Sequence, residues 1–233
     1  MMASENILVL GATGPSGIVL LRELLHRKLP VLAYCRTPSK IPEDISSDPL
    51  LEVVKGEMSQ RDALSNAISK SRAIISLLGP TSAKLLSKTE FADYYRMIVP
   101  LMKEHGVSRI LALGTISIYQ PDDQSSISRA LLRILVMGVA NTAYHNILAI
   151  QEYFETLNDI SIDWIVFRVG LLSGSSDQST WLANRGEAFA GPVGAPGHAS
   201  SMNRSVLAHW LADVATADPA VWVRQMPAIS KAG

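Results

Sequence analysis

An intrachain disulfide is excluded, because Cys35 is the only cysteine in the chain. A lone thiol also leaves no cysteine pair of the metal-binding kind and fits a reducing compartment, so the expected address is the cytoplasm. Excess charge of either sign is missing as well. The 21 Lys and Arg residues face 21 Asp and Glu, so no global field draws the protein to nucleic acid or to an anionic membrane, and neither is expected as a partner. Long apolar runs are absent too. The greasiest stretch, ALLRILVMGVA at 130–140, contains Arg133 and falls short of the about 20 residues that a spanning helix needs. The apolar start is not read as a secretory signal, since Gly11, Gly14 and Pro15 interrupt it and Arg22, Glu23 and Arg27 follow without a small-residue cleavage site.

What is present is an alternation of short and long apolar patterns. Asn6–Leu10 is a compact apolar run, and 14–28 switches to helical spacing with Ile18, Leu21, Leu24 and Leu25 on one face. The same reading predicts strands at 31–35, 51–54, 73–78, 109–113 and 162–168, with helices near 60–69, 89–105, 126–139, 142–157 and 205–216. Residues 170–204, rich in Gly, Ser, Pro and Ala, read as loops, and an apolar segment follows the last helix. Short apolar runs between amphipathic helices predict an α/β fold, a doubly wound parallel sheet of the Rossmann kind with helices on both faces. With 233 residues, one domain spanning 1–233 is expected, its substrate-binding elements lying within 115–145 and 170–204.

The first strand and first helix are joined by GATGPSG, which places glycines at 11, 14 and 17. In that setting glycines permit a tight turn, close backbone approach to a pyrophosphate, and close packing of helix on strand, with the helix N-terminus facing the anion. The turn, with Gly11, Thr13, Gly14, Pro15, Ser16 and Gly17, is therefore expected to bind a dinucleotide; a Walker A loop is excluded because no Gly-Lys-Ser/Thr follows. The end of the second strand selects which dinucleotide. An acidic residue there would bind the adenosine ribose, but no carboxylate occurs before Glu43. Arg36 offers a charged fork, Thr37 and Ser39 add hydroxyls, and Lys40 adds a second positive charge, a set suited to a 2′-phosphate and hence to NADP(H).

The G-x-x-G-x-x-G spacing, with YCRTPSKIP at 34–42, GEM at 56–58, LLGP at 77–80, KEHGVSRILALGT at 103–115 and WIVFRVGLL at 164–172, resembles the extended and atypical short-chain dehydrogenase/reductases. Within them it is similar to the NmrA-like group and to the small flavin reductases of the biliverdin-reductase-B type, and chain length favours the latter. The resemblance implies an NADP(H)-dependent oxidoreductase acting on a small apolar or aromatic carbonyl, enone or flavin-like molecule, as a monomer or homodimer. It places Glu57 where relatives carry an Asp that touches adenine, and Leu78 and Gly79 beside the nicotinamide ribose. GTISIYQP puts Thr115 at the family's catalytic hydroxyl position, four residues before Tyr119. Thr115 also ends a strand facing the crevice where open α/β sheets bind ligands. YHNILAIQE resembles Tyr-x-x-x-Lys and puts Tyr144 at the catalytic phenol, but Leu148 stands where the lysine belongs. Residues four apart share a helix face, so the ammonium that would activate the phenol is missing and Tyr144 is expected to donate a hydrogen bond rather than act as general base.

That departure leaves alternatives to hydride transfer: a cofactor-retaining isomerase, epimerase or dehydratase, or an NADP-binding sensor of the NmrA kind. NRSVLA at 203–208 resembles a family pattern Ser-Arg-x-Asp-Leu-Ala in which Val206 replaces the acid and Arg204 is kept. The apolar segment Ser128–Ala140 is expected to be a pocket wall or subunit contact, with Trp181, Phe189 and loop 186–200 closing the opposite side. His26, His105 and His209 lack metal spacing and read as packing or surface residues, His198 as a loop residue exposed to solvent, and no metal site is expected.

Overall fold

A computed structural model describes residues 5–79, 87–124 and 141–233. Pro80 of the LLGP motif, the predicted helix at 126–139 and the apolar segment Ser128–Ala140 lie outside the described residues. The chain begins with β1 (Asn6–Leu10), α1 (Pro15–His26), β2 (Val31–Cys35) and β3 (Leu51–Lys55), with a 3-10 turn at Pro38–Lys40 and a short α2 (Glu43–Ser46) between the last two strands. It continues through α3 (Arg61–Ser69), β4 (Ser71–Ser76), α4 (Glu90–His105), β5 (Arg109–Thr115), α5 (Asn141–Glu155) and β6 (Asp163–Val169). The final part holds β7 (Leu171–Ser173), α6 (Gln178–Ala183), β8 (Ala188–Gly191), β9 (Ser201–Asn203), α7 (Arg204–Thr216) and β10 (Ala228–Lys231).

Eight of these strands form one sheet in the order β3-β2-β1-β4-β5-β6-β10-β8. All neighbours run parallel except β8, which pairs antiparallel to β10 through Ala228↔Gly191 and Lys231↔Ala188. This is a Rossmann-like α/β fold. Its strands are apolar on both sides because both sides are covered. Along β1, Ile7 and Val9 enter the core beneath α1 and α7, while Leu8 and Leu10 enter the core beneath α3, α4 and α5.

The segment 170–204 is more ordered than its composition predicts. It contributes β8 to the main sheet, a two-stranded parallel ribbon in which Leu172 pairs with Met202, and the helix α6. Strands of only three or four residues are too short to show a periodicity, so tertiary pairing alone defines them. The apolar C-terminal segment becomes β10, inserted beside β6.

A buried carboxylate ties this region to α1. Glu23 has no exposed surface and accepts hydrogen bonds from Arg27 Nε at 2.7 Å, Arg185 Nε at 2.8 Å and Trp181 Nε1 at 3.1 Å, with His209 Nδ1 at 3.2 Å. Burial pushes its carboxyl pKa up, but Arg185, Arg27 and the Trp181 N–H outweigh that and hold it at about 2. Trp181, expected to wall the substrate site, is instead packed against α1, its ring edge-on to His26 at 5.4 Å.

Candidate functional site

At the C-terminal end of β1 the chain turns through Gly11 at φ +78°, a left-handed backbone that favours glycine. The Gly14 N–H closes the turn on Gly11 O at 3.1 Å, and Pro15 opens α1 with its ring at the first helical position. Gly17 packs on the turn so closely that a Cβ would sit 2.3 Å from Gly11 O. Gly14 is different. Its backbone is extended, with φ −77° and ψ 163°, and a Cβ would meet only Gly11 O, at 3.5 Å. Nothing among the described residues demands glycine there, yet Gly14 lines the cleft above the sheet. Among the described residues the first turn of α1 has neither a side-chain cap nor an acidic residue, so its backbone N–H groups and the positive end of its dipole suit an anion. These features fit a dinucleotide's pyrophosphate.

The cleft is a cavity of about 470 Å³, a normal size for a small-molecule site. It opens over the C-terminal ends of β1, β4, β5 and β6, where the winding order reverses between β1 and β4, the place where open α/β sheets bind ligands. Gly11, Gly14, Pro15, Ser16, Gly17, Gly79, Thr115 and Tyr144 all line it. The Thr115 and Ser117 hydroxyls share a short hydrogen bond, and the Ser117 N–H lies 3.4 Å from Thr115 Oγ1. The turn carrying them is anchored by a buried ion pair. Arg168 donates to Asp123 at 2.6 and 2.9 Å and to Ile118 O at 2.8 Å, while Asp123 accepts the Val193 N–H at 2.8 Å. Burial raises the Asp123 carboxyl pKa, but Arg168 and the Val193 and Gln120 N–H groups bring it below the ordinary value.

The structure does not bring every expected residue into the cavity. Leu78 packs into the core on the opposite face and its neighbour Leu77 faces the cleft instead, because side chains alternate in an extended segment. Thr13 is partly buried in the turn without lining the cavity. Tyr119 is 55% exposed and lies outside the lining. Phe189 packs edge-on to His198 at 5.7 Å, also outside it. Arg36, Thr37 and Lys40 are exposed at the end of β2, beyond the cavity, and Arg36 makes no hydrogen bond or ion pair among the described residues. Glu57 is exposed beside them at the end of β3, its backbone carbonyl accepting from the Tyr34 hydroxyl at 2.8 Å. On α5, Ala143, Tyr144 and Ile147 face the cleft, whereas Leu148, at the missing lysine's position, does not line it.

Further lining residues carry no role assigned from the sequence. Leu113, Val169 and Leu172 make an apolar wall, Ser117 adds a hydroxyl, and Arg204 adds a charge. Only Arg204 carried a signal, as the basic residue kept in NRSVLA.

A family profile described as NAD(P)H-binding matches residues 11–218. The chain belongs to that family. Its fold is also that of solved short-chain enzymes. A short-chain dehydrogenase/reductase from Veillonella parvula is similar with a TM-score of 0.75 at 16% identity, covering 99% of this chain and 95% of that one. A wide-type enzyme from the same organism, solved in complex with NADP, gives 0.73 at 15%, covering 98% and 95%. An anaerobillin reductase from Escherichia coli O157:H7 gives 0.64 at 17%, covering 97% of each chain. No described helix of this family member is long and apolar enough to cross a membrane.

Proposed function

We propose that this NAD(P)H-binding protein is an NADP(H)-dependent oxidoreductase that acts on a small, largely apolar carbonyl, enone or flavin-like molecule. One observation carries the reading: the glycine turn of a dinucleotide site and the hydroxyls of Thr115, Ser117 and Tyr144 line the same cavity. A bound nicotinamide dinucleotide supplies the hydride chemistry. The chain's own groups divide the remaining tasks. The α1 N-terminus holds the pyrophosphate through backbone N–H groups. Arg36 and Lys40, exposed at the β2 end, meet the 2′-phosphate. The Thr115–Ser117 hydroxyl pair orients the acceptor, while Tyr144 Oη offers it a hydrogen bond. Leu77, Leu113, Val169 and Leu172 exclude water around the reacting atoms.

The test is to follow NADPH absorbance beside product formation with quinones, free flavins and enones. Stoichiometric NADPH loss supports the oxidoreductase. Turnover at constant absorbance would overturn it in favour of a cofactor-retaining isomerase, epimerase or dehydratase. Because no lysine activates the phenol, Tyr144→Phe should retain measurable turnover, falling about fivefold for one neutral hydrogen bond of about 1 kcal/mol. Thr115→Val should lose more, since it removes the group that orients the acceptor; equal losses in the two variants would contradict these roles.

Cofactor choice has its own test. Wild type should bind NADP(H) more tightly than NAD(H), and Arg36→Asp should erase or reverse the difference, weakening NADP(H) by at least about tenfold as charge-assisted bonds are lost. Equal calorimetric affinities of the wild type for the two cofactors would remove the 2′-phosphate assignment.

A further inference from the structure

We propose that Arg204 reads a carboxylate on the substrate, so that the natural substrate is an apolar molecule bearing one acidic group. The assignment rests on the oxidoreductase reading of the same cleft and deepens it. Arg204 is the one Lys, Arg, Asp or Glu residue among the described residues lining the cavity, and no carboxylate among the described residues pairs with it. Its Nη1 donates to Gly174 O at 2.6 Å. Its Nε is buried with no hydrogen-bond partner among the described residues. A guanidinium charge at an apolar cavity wall is costly without an anionic partner, and its planar fork matches the oxygens of a carboxylate.

The surrounding segment holds this fork in place. Ser173 pairs with Asn203 in the β7/β9 ribbon. Asn203 Oδ1 accepts the Ser205 N–H at 2.9 Å, starting α7 with Arg204 at its first position. Gly174 sits at φ +88°, and a Cβ there would lie 2.7 Å from the Asn203 amide, so glycine is required for the carbonyl that receives Arg204. The cavity's other walls near it, Val169 and Leu172, are apolar. A dinucleotide's pyrophosphate already has the uncapped N-terminus of α1 as its partner, which leaves the second anion-binding group for the other ligand. A carboxylate on an apolar body satisfies both the fork and the wall.

The experiment uses a matched probe pair, 2-naphthylacetate and 2-naphthylacetamide, titrated calorimetrically into protein saturated with NADP⁺. Wild type should bind the acid more tightly than the amide by about tenfold or more, as expected for a charge-assisted pair. Arg204→Gln should lose that preference while its affinity for NADP⁺ stays within about twofold of wild type, because the pyrophosphate is held by backbone groups. Arg204→Lys keeps the charge without the fork, so its acid preference should fall between the two. If the Gln variant does not fold, the Lys variant decides: an undiminished preference overturns the proposal. Equal binding of acid and amide by wild type also overturns it, as does an acid preference that survives in Arg204→Gln. A tenfold or greater loss of NADP⁺ affinity in Arg204→Gln would give the residue to the cofactor phosphates and overturn the substrate assignment. A wild type that treats the probes alike yet consumes NADPH with other substrates would leave the oxidoreductase reading standing. A wild type that binds no dinucleotide would overturn both.

Discussion

Glu23→Gln should lower the melting temperature at pH 7 by about 10 °C. The neutral amide leaves Arg185 without its carboxylate and Arg27 with only the exposed Asp213, and breaking a buried ion pair costs about 3–5 kcal/mol, each kcal/mol being worth roughly 2–4 °C in a chain of this size. A linked pH effect distinguishes charge loss from a simple packing defect. The Glu23 carboxyl is held at about 2 in the folded protein against 4.5 for the free group, so the folded state binds fewer protons there than the unfolded state. Its contribution is therefore complete above about pH 4.5 and disappears as pH falls through the folded value, amounting to roughly 3 kcal/mol across that window. Asp123 and Asp44, also held below their ordinary range, add limbs of the same sign, so the informative quantity is the difference between variant and wild type. Thermal melts from pH 7 down to pH 3 should show a stability gap that narrows on acidification. A gap independent of pH would mean that Glu23 acts only by filling space. Because Glu23 joins α1 to Arg185, Trp181 and His209, its loss should also loosen the segment that carries Gly174 against the glycine-turn helix.

Gly14→Val should abolish dinucleotide binding, weakening it by over a hundredfold, with the melting temperature within a few degrees of wild type. The backbone at Gly14 is extended and its Cβ position meets no atom closer than 3.5 Å, so valine fits the free protein. In the complex its branches occupy the space through which the pyrophosphate reaches the α1 N–H groups, a steric conflict of about 3 kcal/mol or more. Gly17→Val should give the opposite result. Its Cβ would stand 2.3 Å from Gly11 O and 2.6 Å from the Ala12 backbone, displacing α1 and destabilising the fold before any ligand is added. Paired calorimetry and melting curves on the two variants therefore separate the ligand-facing glycine from the packing glycine. Normal NADP(H) binding by Gly14→Val would reduce the motif to a structural turn.

The alternation of strands and helices was legible because it is written in local periodicity, and the predicted run at 6–10 coincides with β1. The glycine turn was legible for a related reason: a short segment between a strand and a helix carries its whole geometric demand within seven residues, whatever surrounds it. The short strands β7, β8 and β9 and the helix α6 were not, since each is too brief to show a period and exists through partners far away in the chain. The site divides in the same way. Thr115 lines the cleft because strand ends of a parallel sheet converge there, a property of the topology that a strand pattern announces. Leu77 rather than Leu78 lines it because of which way one extended residue points, Tyr119 stands in solvent because its turn is pinned through Asp123 by Arg168 from β6, and Arg204 reaches the cavity only through the β7/β9 ribbon that holds Gly174 beside it. Local backbone requirements and hydrophobic period are properties of neighbours in sequence and determined the α/β class and the dinucleotide turn. Which side chains share one cavity depends on side-chain direction and long-range packing, which only the folded chain decides.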